Sequence, residues 1–549
     1  MASSILYSNF TSGLVTPKVA GQYNSTAYHN GCSVLQNFSI MLQGGLTRRP
    51  GTGPVAEAVG TRLIPFLYST ELCFLFELYA GHARIWKSDR NEACGLSVHS
   101  VVDLPYTADQ IPQVRYTQTY DTLILVHPEV SPYFVKYEDN NFIMSHIEPK
   151  VTRDENNLIY DENDIGLFTE KDYPSETFYY AGRLWFACSK EHPFKLWASR
   201  AFKTDNFEFK EWNEVEDEVT TTQSIIDSIK NGDDEYDVET ITRSVYVVRE
   251  DSALQLEVGA SRNDRILWMS SMGSNIIVGT ASGEWIMNGA INGLTQSIFQ
   301  VSSYGSAGVR PVSAGSDTIF VQMGGKRVRS YVGASDGYSS PDMSYACDEL
   351  LSRGVVAMAW RRIPEPTLYC VLTDGTLAVL FYDRLYGLQG WSEWTFAGQV
   401  KDVCVIDTEE GQRTFIMIQR GDKTYIEYFR DVDPLDSSDY VYVDRLGDQD
   451  IQYVSRMTTN PYERTTSTDG SSLGKKKRFY SIVLRVLNTK AFEAGYEDGY
   501  FKSFTGDAGQ DDIEILLPGG FSKRVSMTVM SIGDKALTML GMAIVTEVN

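Results

Sequence analysis

Leu368–Phe381, LYCVLTDGTLAVLF, decides how the rest of the chain is read. Two apolar runs, Leu368–Leu372 and Leu377–Phe381, flank Asp374-Gly375, a dipeptide that takes up the tight turn whose twist suits antiparallel strands. Six further hairpins repeat this design. Leu72–Leu78 and Ala83–Trp86 flank Ala80-Gly81, Leu123–His127 and Tyr133–Tyr137 flank Pro128–Pro132, and Leu184–Cys188 and Lys195–Ala198 flank Lys190–Pro193. Asn275–Thr280 and Glu284–Met287 flank Ser282-Gly283, Thr318–Met323 and Arg327–Tyr331 flank Gly324-Gly325, and Thr414–Ile418 and Thr424–Phe429 flank Gly421-Asp422.

The turns recur with a period. Gly81 to Pro128 is 47 residues, Gly283 to Gly324 is 41, Gly324 to Gly375 is 51 and Gly375 to Gly421 is 46. The two longer gaps, 63 residues from Pro128 to Glu191 and 92 from there to Gly283, contain acidic insertions near 148–172 and 205–239. A period in the forties is the length of a four-stranded propeller blade. The expected fold is therefore all-β, a β-propeller of six to eight blades with a hairpin repeat of about 41–51 residues. No GH…WD or kelch pattern falls in register, so an array of β-sandwiches is the alternative. The rhythm spans 61–445; residues 1–60 precede it as an N-terminal segment and 446–549 follow it as a C-terminal β unit.

Before the first hairpin, residues 1–42 read as polar and irregular, and Gln43–Pro54, QGGLTRRPGTGP, packs four glycines, two prolines and Arg48-Arg49 into a stretch expected to be a surface loop. A nucleotide-cradling loop would need a lysine followed by a helix, and a strand pattern follows instead. Arg48 and Arg49 are expected to pair with carboxylates of this chain or a neighbour. Lys475, Lys476, Lys477 and Arg478 form a second basic run leading into a strand.

The formal charge is −23 and the pI about 4.8, which disfavours passive adhesion to nucleic acid or an anionic membrane. Asp205–Glu239 carries thirteen acids against Lys210 and Lys230. It reads as a solvated insertion or as a projecting tip or channel lining, with Glu214, Glu216, Asp217, Glu218, Asp233, Asp234, Glu235 and Asp237 as the candidate residues. Hydrophobic content of 42% suffices for a sizeable core, and 32 Tyr, 25 Phe and 9 Trp lean toward β-structure. No apolar run approaches the ~18 residues of a membrane span. The seven cysteines are scattered and MASSILYSNF lacks a signal-peptide pattern, so reduced thiols made in a cytoplasm are expected.

Catalytic patterns are thin. The six histidines show no HxxxH or HExxH spacing, and no serine lies in a GxSxG elbow. His127 reads as a structural histidine. Asp161–Asp172 echoes a calcium loop, but Ile165 occupies a place that needs an oxygen ligand. Neither an enzyme activity nor a cofactor or metal is expected.

Several segments, in order, resemble the nozzle (tail tubular protein B-like) proteins of tailed bacteriophages. They are Tyr28–Phe38, Gly44–Gly51, Arg62–Phe66, Leu104–Ala108, Gln118–Asp121, Leu125–Pro128, Pro193–Ser199, Thr280–Trp285, Asp374-Gly375 with Gly390-Trp391, Tyr425–Tyr428 and Gly474–Phe479. The resemblance implies a propeller with an additional platform, formed by the N-terminal platform segment 1–60 and the C-terminal β platform unit 446–549, with Arg48, Arg49, Lys475, Lys476, Lys477 and Arg478 as candidate subunit or platform contacts. It further implies that six copies form a tube below the portal and its adaptor. Such a tube sits in the virion tail, is assembled in the host cytoplasm, contacts adaptor and portal proteins and tail fibres or tail-tip proteins, and passes double-stranded DNA without specific binding. A glycan-binding or glycan-cleaving tail-tip propeller is the alternative, with Trp285, Trp391 and Trp394 as candidate sugar platforms. A non-viral scaffold propeller is a third reading.

Overall fold

The computed structural model describes residues 3–146, 171–207, 211–220, 229–232, 238–259, 264–287, 296–334, 337–408, 411–430, 442–447, 449–463, 471–497 and 499–548, the stretches 211–220 and 238–247 by backbone alone. Six of the seven hairpins expected from the sequence form the two central strands of a four-stranded antiparallel sheet, and the hairpin Thr367–Leu372 with Leu377–Asp383 lies at the centre of the four strands that begin a 14-stranded sheet. The reason is burial. Central strands such as Arg183–Ala187, Asp317–Val321 and Thr367–Leu372 are buried along their whole length, so both faces of each strand demand packing. Fully burying each Leu, Ile, Val or Phe there stabilises the fold by about 1.5–3 kcal/mol. Outer strands are half-solvated, as in Asn141–His146 of the second sheet.

Seven four-strand blades in chain order, the seventh completed by a strand from the N-terminal segment, make the chain a β-propeller. By backbone contacts it divides into two compact units, Met1–Gln113 with Tyr304–Asn549, and Val114–Ser303. The second unit holds the second, third and fourth blades. Its second and third blades share a core of Ile124, Val126, Leu184, Phe186 and Trp197, and its third and fourth one around Trp185, Leu196, Ile276, Val278 and Trp285. In both the third and the fourth blade an acid preceding the first strand clasps the central turn. Asp172 accepts from Ser189 Oγ (2.9 Å) and Glu191 N (3.0 Å), and Asp264 accepts from Thr280 Oγ1 (2.6 Å) and Ser282 N (3.1 Å).

The first unit holds the fifth, sixth, seventh and first blades and the platform. Ile319, Val321, Leu368 and Leu380 join fifth to sixth; Leu63, Leu75, Cys404, Phe415 and Ile426 join seventh to first. The seventh blade takes only three strands from its own stretch of chain, Gln399–Thr408, Gly411–Arg420 and Lys423–Phe429. Its fourth is Thr52–Glu57, from the N-terminal segment. Residues 1–60 are therefore not purely platform.

The platform is built from both ends of the sequence, as expected, but neither end is a separate or irregular unit. Gly31–Gln36 pairs with Arg456–Thr459, Leu46–Arg48 with Thr538–Val548, and Ser3–Tyr7 with the same C-terminal strand. Through Gly13-Leu14 and Gly31–Gln36, this sheet continues into Leu388–Trp394 of the sixth blade.

Candidate functional site

Gln43–Pro54 is not a surface loop. Leu46–Arg48 and Thr52–Glu57 are strands, and the bend between them is buried. Gly51 is needed because a Cβ there would lie 2.0 Å from the Val443 carbonyl oxygen. Arg49 is fully buried and forks onto Asp444, Nη1 to Oδ1 at 2.8 Å and Nη2 to Oδ2 at 2.7 Å. Its Nε donates to Asn37 Oδ1 (3.1 Å), its other N–H groups to the carbonyls of Pro50 and Thr395, and its guanidinium lies 3.6 Å from the centre of the Tyr453 ring. Burial works against this charge, yet the Asp444 carboxylate beside it more than offsets that and holds the pKa above the usual arginine value.

Arg48, equally buried, forks onto no carboxylate. A cage of backbone carbonyls receives it, those of Gly533 (3.1 Å), Lys535 (2.6 Å) and Tyr453 (3.0 Å), with Ser455 Oγ on Nε. Burial lowers its pKa. The two arginines thus tie the N-terminal segment to the exits of the sixth and seventh blades and to the C-terminal turn, all within one chain. They are internal platform contacts. Of the two alternatives, a subunit or a platform contact, these hydrogen bonds favour the platform, because guanidiniums with every donor turned inward present nothing to a neighbour.

The second basic run divides along its strand. Lys477 is buried, 2.7 Å from Glu463 Oε1 and donating to the Lys523 carbonyl, so it too is internal. Lys476 is exposed, Lys475 is half-buried, and Arg478 is half-buried over the Tyr480 ring.

Of the acidic insertion near 205–239, the backbone of Glu211–Thr220 pairs with Val238–Val247 as a two-stranded ribbon, a sheet of its own between the third and fourth strands of the third blade. Glu214, Glu216 and Glu218 stand at alternate positions, opposite Ser244, Thr242 and Thr240, and Asp217 is opposite Ile241. Alternate positions of a strand share a face, and these three positions alternate. Asp233, Asp234, Glu235 and Asp237 lie outside the described residues, as does most of the insertion near 148–172. Asp172, the twelfth place of the calcium-like pattern, has its carboxylate occupied by the clasp of the third blade.

The tryptophans offered as sugar platforms are core. Trp391 and Trp394 are 2% and 1% exposed and donate to the carbonyls of Met343 and Phe38, and Trp285 is 6% exposed. His127 is buried with its pKa lowered by desolvation, and its Nδ1 accepts from Glu129 N. Six cysteines are buried and Cys94 is half-buried; burial raises the thiols of Cys32 and Cys73 to about 12. Among the described residues no three His, Cys, Asp or Glu side chains converge as a metal site. No helix of the described residues is long and apolar enough to cross a membrane.

No protein-family model and no curated protein matches the chain. Among solved structures it is similar to the WD40 domain of Pan2 from Neurospora crassa, 10% identical, covering 69% of this chain and 90% of that one with a TM-score of 0.34.

Proposed function

We propose that this chain is a structural virion protein, a nozzle component of a phage tail whose copies, six by resemblance, form a ring that continues the DNA channel below portal and adaptor and helps retain and then release the genome. The ordered segments quoted above suggest the reading, and the acid-rich ribbon supports it physically. Glu211–Thr220 carries five acids and no Lys or Arg, and it belongs to no blade. Blades need no such element for closure. A DNA duplex carries one negative charge per ~1.7 Å of axis, and screening limits repulsion to roughly 8 Å at physiological salt. An acidic ribbon therefore acts on DNA only in a channel little wider than the duplex, where it keeps the backbone from sticking.

Electron microscopy of the purified chain, alone and with its portal and adaptor neighbours, tests this. The expected result is a ring with a central channel; particles without a ring in both preparations overturn the proposal. The glycan reading has lost its sugar platforms to the core and is not carried further.

A further inference from the structure

The platform contains the longest strands in the molecule, Lys477–Tyr496 of 20 residues and Phe501–Leu516 of 16. Lys477–Tyr496 is covered on both sides, by Phe501–Leu516 on one and by Thr538–Val548 and Met527–Ser531 on the other. Phe501–Leu516 pairs with nothing else among the described residues. Sixteen residues at about 3.4 Å each leave some 50 Å of backbone N–H and C=O groups facing outward, where strands usually run 3–10 residues. Such an edge is a template for another strand.

Three features say what kind of strand fits. Asp507, Asp511, Asp512 and Glu514 oppose a single base, Lys502, and only Asp512 has an ion-pair partner among the described residues, Arg485 at 2.7 Å. A second copy of this strand would therefore bring acid against acid, and no other free edge among the described residues carries more than one Lys or Arg. Gly509 lies within the strand without a positive φ, and a Cβ there would meet nothing within 4 Å. The strand is therefore open at that point, with room for another backbone to approach.

We infer that Phe501–Leu516 is a docking edge that receives an extended, Lys/Arg-rich segment of another protein by strand addition, its backbone hydrogen bonds supplying affinity and its acids choosing the partner's charge. The inference does not depend on the ring.

The probe is a peptide of about twelve residues built from Thr-Lys-Lys-Thr repeats, compared with one in which every Thr is Pro, which keeps the charge and removes half the N–H donors. Binding to the full chain is followed by fluorescence anisotropy, and its location by hydrogen–deuterium exchange. The threonine peptide is expected to bind and to slow exchange across Phe501–Leu516, and the proline peptide to do neither. D507N/D511N/E514Q, three exposed substitutions, should weaken binding about tenfold, as three surface ion pairs allow. Equal binding of the two peptides, absence of binding, or slowed exchange elsewhere in the chain with none across this strand would overturn the inference and leave an edge whose charges only guard against aggregation.

Discussion

Arg49 and Asp444 show what a pair of residues can hold together. Their bidentate contact is wholly buried, and Asp444 Oδ1 also accepts from Thr52 N at 3.2 Å, at the start of the strand that completes the seventh blade. Removing one partner leaves a charge uncompensated in the interior, so Asp444→Asn is expected to destabilise the first unit by about 3–5 kcal/mol, measured as a lowered urea midpoint. The double substitution Arg49→Met with Asp444→Leu should recover much of that loss, since no charge is then stranded; a double variant as unstable as the single one would contradict this account. The breakers and cations of Gln43–Pro54 were legible in the sequence, but their burial was not. Asp444 lies 395 residues away and the cage around Arg48 is made of carbonyls, which every residue type carries. Adjacent arginines on a glycine-rich stretch look the same on a surface and in such a cage.

Among the elements, the hairpins were legible in all seven blades because they read as apolar runs between turn residues, most completely where a central strand is buried on both faces, as in Arg183–Ala187, Thr367–Leu372 and Leu377–Asp383. The outer strands left little signal, since half-solvated strands such as Leu96–Asp103 tolerate polar residues throughout. The platform strands were hidden for a different reason: they are recruited from opposite ends of the sequence, and no local pattern records a partner so distant. The acidic ribbon was visible as charge but not as strand, because its acids mask the alternation. In the third blade, Lys195–Ala198 pairs directly with Leu254–Glu257 across the insertion, so the ribbon is dispensable for closure. Replacing 211–247 by a short Gly-Ser linker should leave the circular dichroism unchanged and move the melting temperature by no more than about 2–4 °C. In assembled particles the same change should alter DNA retention or ejection. Loss of the β spectrum would show that the ribbon supports the blade.

For the molecule as a whole, the seventh blade is where the two ends of the repeat meet. Ile426 and Phe429 of Lys423–Phe429 are buried, and that strand relies on Thr52–Glu57 for its outer edge. A chain lacking residues 1–57 should elute as aggregates in size-exclusion chromatography, because an apolar strand edge is then open for pairing; a monodisperse, folded truncation would show that the N-terminal strand is dispensable. The same pairing has a consequence in time. Thr47 lies against Thr538, so the platform strand that contains it emerges from the ribosome 491 residues before its partner. At roughly 5–20 residues per second that is a wait of about 25–100 s. Val114–Ser303, one uninterrupted stretch, can gather its three blades during synthesis, whereas Leu46–Arg48 pairs early with Phe38–Ile40 but keeps its other edge open until translation is almost finished. The first segment made is thus among the last to settle, and for that interval a free apolar edge is in the keeping of whatever binds nascent chains.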